Sequence, residues 1–299
     1  MASDVHIIGV DASDDALDDA LDHLELLERR WSRFLPHSDV SRINAANGTP
    51  IIVDDLTVVL LAAMVEAWRA TGGAYDPTVL RALVSHGYST SIVDPSRCTV
   101  LDDIAADGSF ADLVLDRTTG LVRLPPGLAV DPGGIGKGLA ADLAVARLLD
   151  GGARGALVCI GGDMSMGGVG PHEHGWTVAI EDPASSHDVL CSFMLTGGGV
   201  ATSSTRSRRW WHAGRPTHHV IDPRTSAPAR VDLASVTVIA GAGWQAEAHA
   251  TAALLAGSAG AIPWLERNAL SGLSVGLDGS IRSTPDLFDI AGCERRRAG

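Results

Sequence analysis

The stretch Val130-Asp131-Pro132-Gly133-Gly134-Ile135-Gly136-Lys137-Gly138-Leu139-Ala140-Ala141-Asp142 sets four glycines and a lysine between an apolar run and a helical pattern. Glycine lets a backbone turn sharply or approach another group closely, and a helix that follows such a turn offers unpaired N–H groups and a partial positive charge. Two familiar uses fail here. A phosphate-binding Walker loop needs a Ser or Thr after its lysine, and Lys137 is followed by Gly138. Gly134, Gly136 and Gly138 give G-x-G-x-G, which lacks the last spacing of the dinucleotide fingerprint, and no regular βαβ unit frames them. What remains is either a loop holding an anionic ligand or a tight turn with its lysine in solvent.

The flanking sequence fixes the fold class. Asp4 to Val10 reads as a strand, and Leu17, Leu21, Leu24, Leu27, Trp31 and Phe34 then recur at helical spacing. A second helix is predicted from about Leu56 to Ala70, ending at Gly72-Gly73. Ser89 to Asp116 is less periodic. Leu121–Leu124 and Leu128–Val130 read as short strands around a Pro125-Pro126-Gly127 turn, and Leu139 to Leu149 as a helix. Ala156–Ile160, Trp176–Ile180 and Val236–Ala240 read as further strands, the last leading into a helix over Ala246–Leu255. Strands beside strands with helices between them predict an α+β domain with a mixed sheet rather than βαβ winding. No repeat or linker divides the 299 residues, so one domain over 1–299 is expected, with a flexible tail at about 290–299.

Charge narrows the partners. Thirty-six acidic against 23 basic residues give a net charge of −13, which argues against nucleic acid or an anionic membrane. Cys98, Cys159, Cys191 and Cys293 form no C-x-x-C pair, so buried free thiols are expected rather than a zinc or redox site. With no basic-then-apolar leader and no apolar segment of bilayer length, a cytoplasmic protein without a membrane span is expected.

Polar groups also gather in Ser38-Asp39-Val40-Ser41-Arg42-Ile43-Asn44, Gly73-Ala74-Tyr75-Asp76-Pro77-Thr78-Val79, Gly161-Gly162-Asp163, Thr217-His218-His219-Val220-Ile221-Asp222-Pro223 and Ala246-Glu247-Ala248-His249-Ala250-Thr251. Together with the glycine stretch, in this order from about Ser3 to about Gly257, they resemble the motifs of the FAD:protein FMN transferase family, the ApbE-type flavinyltransferases. The resemblance implies an ApbE-like (T-fold-type) α+β fold with largely antiparallel sheet, packed helices and a flavin cleft. It also implies a Mg²⁺-dependent enzyme that cuts FAD at its pyrophosphate and attaches FMN through a phosphoester to a Thr or Ser of an acceptor protein, releasing AMP.

Residue roles carry over on the same resemblance. Asp131, Lys137, Ala74, Tyr75, Asp76 and Ile221 match positions that contact FAD, and Gly134 matches the residue whose carbonyl binds the metal. Phe34 stands where many relatives have a Tyr stacked on the flavin, and Met1-Ala2-Ser3 where relatives show Met-Gly-Thr, which places Met1 at the edge of the flavin pocket. Ser204 and Ser226 occupy usual glycine positions. Glu247 replaces a more frequent Asp.

The metal set also has a physical basis, because Glu247 and Thr251 lie four residues apart on a predicted helix and present a carboxylate and a hydroxyl from one face, as hard-oxygen Mg²⁺ ligation requires. A threonine bonded to its own helix is the structural alternative. His219 is the candidate general base, with Asp222 as its orienting group. His172-Glu173-His174 reads as an exposed loop, and Arg206 to Trp211 as a basic, aromatic rim. Two competing activities use the same residues: an FAD pyrophosphatase, with water in place of the protein hydroxyl, and a non-catalytic flavin carrier.

Overall fold

The computed structural model describes residues 3–287. Met1, Cys293 and the tail expected at 290–299 lie outside the described residues. The chain forms two compact units interleaved in sequence. The first takes Ser3, Asp22–Gly136 and Arg208–Ala229, and the second takes Asp4–Leu21, Lys137–Ser207 and the described chain from Arg230 onwards.

In the second unit a seven-stranded sheet is antiparallel throughout, in the order Val5–Val10, Gly155–Ile160, Asp163–Gly168, Gly198–Ser204, Leu233–Ala240, Ser271–Gly276, Ile281–Ser283. Spatial order follows chain order, as an antiparallel sheet permits when short turns or helical excursions join neighbours. Leu233–Ala240 has almost every residue buried, so both of its faces are covered. Against the sheet packs helix Gly243–Leu255, whose buried Ala246, Ala248, Ala250, Ala252 and Ala253 keep its surface thin. A hairpin of Trp176–Asp182 and Ser185–Leu195 stands apart in pairing, but its Trp176, Val178, Ile180, Phe193 and Leu195 share a core with Leu157, Met166 and Val200 of the main sheet.

The first unit is built from shorter pieces. Helices Asp39–Ala45 and Asp55–Ala70 begin at Ser38 and Asp54, whose side chains accept from the backbone N–H groups of Ser41 and Leu56. A three-stranded sheet joins Ile51–Ile52, Leu121–Arg123 and Val114–Asp116. Arg209–His212 and Arg215–His218 form a hairpin whose two turn residues, Ala213 and Gly214, both have positive φ, as a type I′ turn demands. Ile221–Asp222 pairs with Ala227–Pro228.

Most predicted elements are present, and the differences have local causes. Helix Gly136–Asp150 starts inside the glycine stretch, three residues before the expected Leu139. Leu128–Val130 is not a strand. Its backbone is satisfied instead by the Asn44 side chain, whose amide donates to the Val130 carbonyl at 2.9 Å and accepts from the Val130 N–H at 2.7 Å. An asparagine thus does the work of a neighbouring strand. Helix Gly257–Arg267, which carries Pro263 inside it, and the two last strands were not anticipated. Of the thiols, Cys98 is exposed and Cys159 and Cys191 are half-buried, which corrects the expectation of buried cysteines. Among the described residues no helix is long and apolar enough to cross a membrane.

Candidate active site

The glycine stretch contains two positions where only glycine serves. Gly134 has φ of 82°, in the left-handed region, and turns the chain into the helix. Gly138 lies on the helix itself, where an added Cβ would sit 2.3 Å from the Gly243 carbonyl oxygen. The N-terminal turns of helices Gly136–Asp150 and Gly243–Leu255 therefore meet backbone to backbone. Asp142 stabilises the contact by capping the second helix, its two carboxylate oxygens accepting from the N–H groups of Gly243 at 2.7 Å and Trp244 at 3.0 Å. Burial pushes the Asp142 carboxyl above its ordinary range, against those hydrogen bonds.

This contact places charge. The Gly138 N–H donates to Glu247 Oε2 at 2.8 Å, so the anion at this helix N-terminus is the protein's own carboxylate. Lys137 Nζ lies 3.3 Å from Glu247 Oε1 and is also paired with Asp163 Oδ2. Asp163 Oδ1 accepts from the Thr202 N–H at 3.1 Å. Two carboxylate side chains that are 3% and 5% exposed thus converge on one ammonium that is 19% exposed. Thr251 shares the helix with Glu247 as expected. Its hydroxyl donates to the Glu247 carbonyl at 3.3 Å and lies 3.0 Å from the Ser203 hydroxyl. Among the described residues no group of three or more His, Cys, Asp or Glu side chains is placed to hold a metal ion.

The first unit carries the remaining candidates. Asp131 is buried, with Oδ1 accepting from the Gly133 N–H at 3.1 Å, Oδ2 3.6 Å from Arg33 Nε, and its own N–H donating to the Pro77 carbonyl at 2.8 Å. It thereby joins the glycine stretch to the segment that holds Ala74, Tyr75 and Asp76. Asp76 caps the turn after it, accepting from the Thr78 N–H and hydroxyl at 2.7 and 2.6 Å, and Tyr75 is buried. Phe34 belongs to an aromatic wall: its ring meets Tyr88 edge-on at 6.2 Å, and Tyr88 stacks on Trp210 at 5.1 Å and 26°. Trp210 is anchored by its indole N–H, which donates to the His86 carbonyl at 2.8 Å. Trp211, next along the same hairpin, is 76% exposed. His172, Glu173 and His174 are exposed.

Ile221 is buried beside Asp222, whose carboxylate is held by the Arg224 guanidinium through contacts of 3.0 and 2.8 Å. That pairing keeps the Asp222 carboxyl below its usual range. His218 is committed to structure: Nε2 lies 3.0 Å from the Ala229 carbonyl and Nδ1 accepts from the Val220 N–H at 3.3 Å, which assigns the proton to Nε2. Burial lowers its pKa. His219, next to it, is half-buried.

Arg33, Tyr88, Asp142 and Asp163 belong to these networks but are not among the predicted site positions. Asp142 and Asp163 close two of the polar stretches, so their place in a motif was visible. Nothing in the sequence marks Arg33 or Tyr88, whose neighbours come from distant segments.

Comparison with known proteins agrees with these motifs. The model of the ApbE family matches residues 1–274. The FAD:protein FMN transferase of Rhodobacter capsulatus is 31% identical over 278 residues, 89% of this chain and 51% of that protein. This chain therefore spans about half the length of that relative. The FAD:protein FMN transferase of Salmonella typhimurium is 28% identical over 280 residues, 89% of this chain and 79% of the relative. The crystal structure of the ApbE protein of Thermotoga maritima superposes with a TM-score of 0.82 at 26% identity, covering 95% of this chain and 94% of that one. The apo flavinyl transferase ApbE of Pseudomonas stutzeri, at 24% identity and a TM-score of 0.78 over 99% of this chain and 98% of its own, shares the fold.

Proposed function

Because the chain belongs to the ApbE family, we propose that it is a Mg²⁺-dependent FAD:protein FMN transferase. FMN is transferred from FAD to a Thr or Ser hydroxyl of an acceptor protein, and AMP leaves. The oxygen of the acceptor forms a bond to the phosphorus of the FMN half, the bond from that phosphorus to the AMP oxygen breaks, and the hydroxyl proton passes to the enzyme. The observation that carries this reading is the buried Lys137–Asp163–Glu247 cluster on the glycine-stretch helix.

That cluster fits the implied cation. Its donors are carboxylate oxygens, the ligand type Mg²⁺ takes, and two buried carboxylates against one ammonium leave an excess negative charge that a divalent ion would offset. Glu247 and the Thr251 hydroxyl would hold the ion in the second unit. Gly134, in the first, is a ligand candidate through its carbonyl on the motif alone. When bound, Mg²⁺ supplies charge neutralisation on the diphosphate. Lys137 adds a full positive charge for a phosphate oxygen. In the first unit Phe34 offers a ring face to the flavin, Asp131 a carboxylate for ring N–H groups, and Ala74, Tyr75, Asp76 and Ile221 the adjoining surface. His219 takes the proton of the acceptor hydroxyl, with Asp222 as its orienting group. The Arg224 guanidinium keeps the Asp222 carboxyl below its usual range.

Incubation of the protein with FAD, Mg²⁺ and a flavin-acceptor domain is expected to give an acceptor heavier by one FMN phosphoryl group. Glu247→Ala is expected to abolish adduct formation while the protein still folds. Intact FAD with no adduct refutes the transferase. Release of FMN and AMP without an adduct replaces it by the pyrophosphatase.

A further inference from the structure

We propose that Arg33 is a positioning residue for the flavin ring, holding the Asp131 carboxylate and the Phe34 and Tyr88 rings in the arrangement that binds it. The inference rests on the reading above that the first unit carries the flavin.

Arg33 is a buried cation, and burying one is costly unless it is fully engaged. Here each part of the guanidinium has a partner. Nη1 donates to Thr99 Oγ1 at 2.8 Å, Nη2 donates to the Tyr88 carbonyl at 3.0 Å, and Nε faces Asp131 Oδ2 at 3.6 Å. Cζ lies 4.1 Å from the Phe34 ring centroid and 4.8 Å from that of Tyr88. Four segments distant in sequence are thus tied to one charge: the turn after helix Asp14–Trp31, the loop at Tyr88, the loop at Thr99 and the glycine stretch.

Two consequences concern the ligand. The guanidinium covers one face of Phe34, so a flavin stacked on that ring has only the opposite face. The Asp131 carboxylate is held between the guanidinium and the Gly133 N–H, which fixes where a ring N–H must lie to be accepted. A lysine could keep the charge but not the fork of donors. Arg33 therefore acts through Asp131 and the wall.

The test measures FAD binding by flavin fluorescence and by the visible absorption of the bound flavin, with AMP binding and thermal unfolding in parallel, for wild type, R33K, R33M, D131N and R33M/D131N. R33K is expected to fold, to weaken FAD binding by at least about tenfold (a change of about 1.4 kcal/mol), to displace the visible band of the bound flavin, and to leave AMP affinity unchanged. R33M/D131N leaves neither charge of the pair buried alone, and is expected to bind FAD more weakly than D131N alone, because Arg33 also holds the Phe34 and Tyr88 rings; an affinity equal to that of D131N overturns the part of the proposal that concerns the wall. A wild-type affinity and spectrum in R33K overturns the proposal. So does a loss of FAD affinity in R33K that is matched by AMP or that leaves the flavin band unmoved, which would make Arg33 structural only. Failure of the wild type itself to bind FAD refutes the functional reading, and the inference falls with it.

Discussion

Replacing Lys137 by methionine isolates the energetic role of the charge cluster. Methionine is close to lysine in length and fills the same channel, so the change removes the ammonium with little loss of packing. Asp163 and Glu247 then face each other's charge with only the Thr202 and Gly138 N–H groups as partners. Breaking a buried ion pair by removing one partner costs about 3–5 kcal/mol. Lys137 is 19% exposed, so solvent reaches the site and the lower end applies, about 3 kcal/mol or roughly a hundredfold in the unfolding equilibrium. Urea unfolding followed by tryptophan fluorescence reads this directly, since Trp176 lies in the core of the same unit. The double variant K137M/D163N removes one of the stranded carboxylates and is expected to recover at least half of the loss. Mg²⁺ at several times its dissociation constant is expected to stabilise K137M more than wild type, because the ion no longer competes with the ammonium. Unchanged stability in K137M, or no recovery in the double variant, refutes the electrostatic account. A Mg²⁺ response equal in both proteins removes the cluster from the metal site.

Three further outcomes follow from single contacts. Gly138→Ala forces a Cβ against the backbone of Gly243 and Trp244, and is expected to destabilise the protein by at least about 2 kcal/mol, measured by the same urea titration; a neutral effect would mean that the two helices separate freely. Burial depresses the pKa of both His218 and His249, so the unfolded chain binds more protons than the folded one below the ordinary histidine range of about 6.5. Stability is therefore expected to fall as the pH drops through that range, with a shallower slope in His218→Asn; parallel slopes would refute the His218 contribution. Ser226, at a usual glycine position, holds φ of 52°, and Ser226→Gly is expected to raise stability by about 1 kcal/mol in chemical denaturation; a loss would show that the serine side chain contributes more than its strain costs.

The sequence by itself determined the elements whose signals are local. Helix periodicity placed Asp14–Trp31, Asp55–Ala70 and Gly243–Leu255 within a few residues, and alternating or continuous apolar runs placed the strands beginning at Val5, Gly155 and Trp176. Motif order identified the family, because it depends on residue identity along the chain and not on contacts. The tertiary structure decided how the motifs are used. Gly138, which reads as a ligand-approach glycine, serves a contact with a helix more than a hundred residues away, and its N–H meets Glu247 at a separation of 109 residues. Leu128–Val130 has a strand's composition, but the partner that satisfies it is the side chain of Asn44. Arg33 shows the limit most plainly. Nothing in its sequence neighbourhood marks it, and only the folding of Tyr88, Thr99 and Asp131 around it offsets the cost of its burial. Propensity and periodicity are sums over neighbours in sequence, whereas the energy of a buried charge is set by the groups that the fold brings within a few ångströms of it.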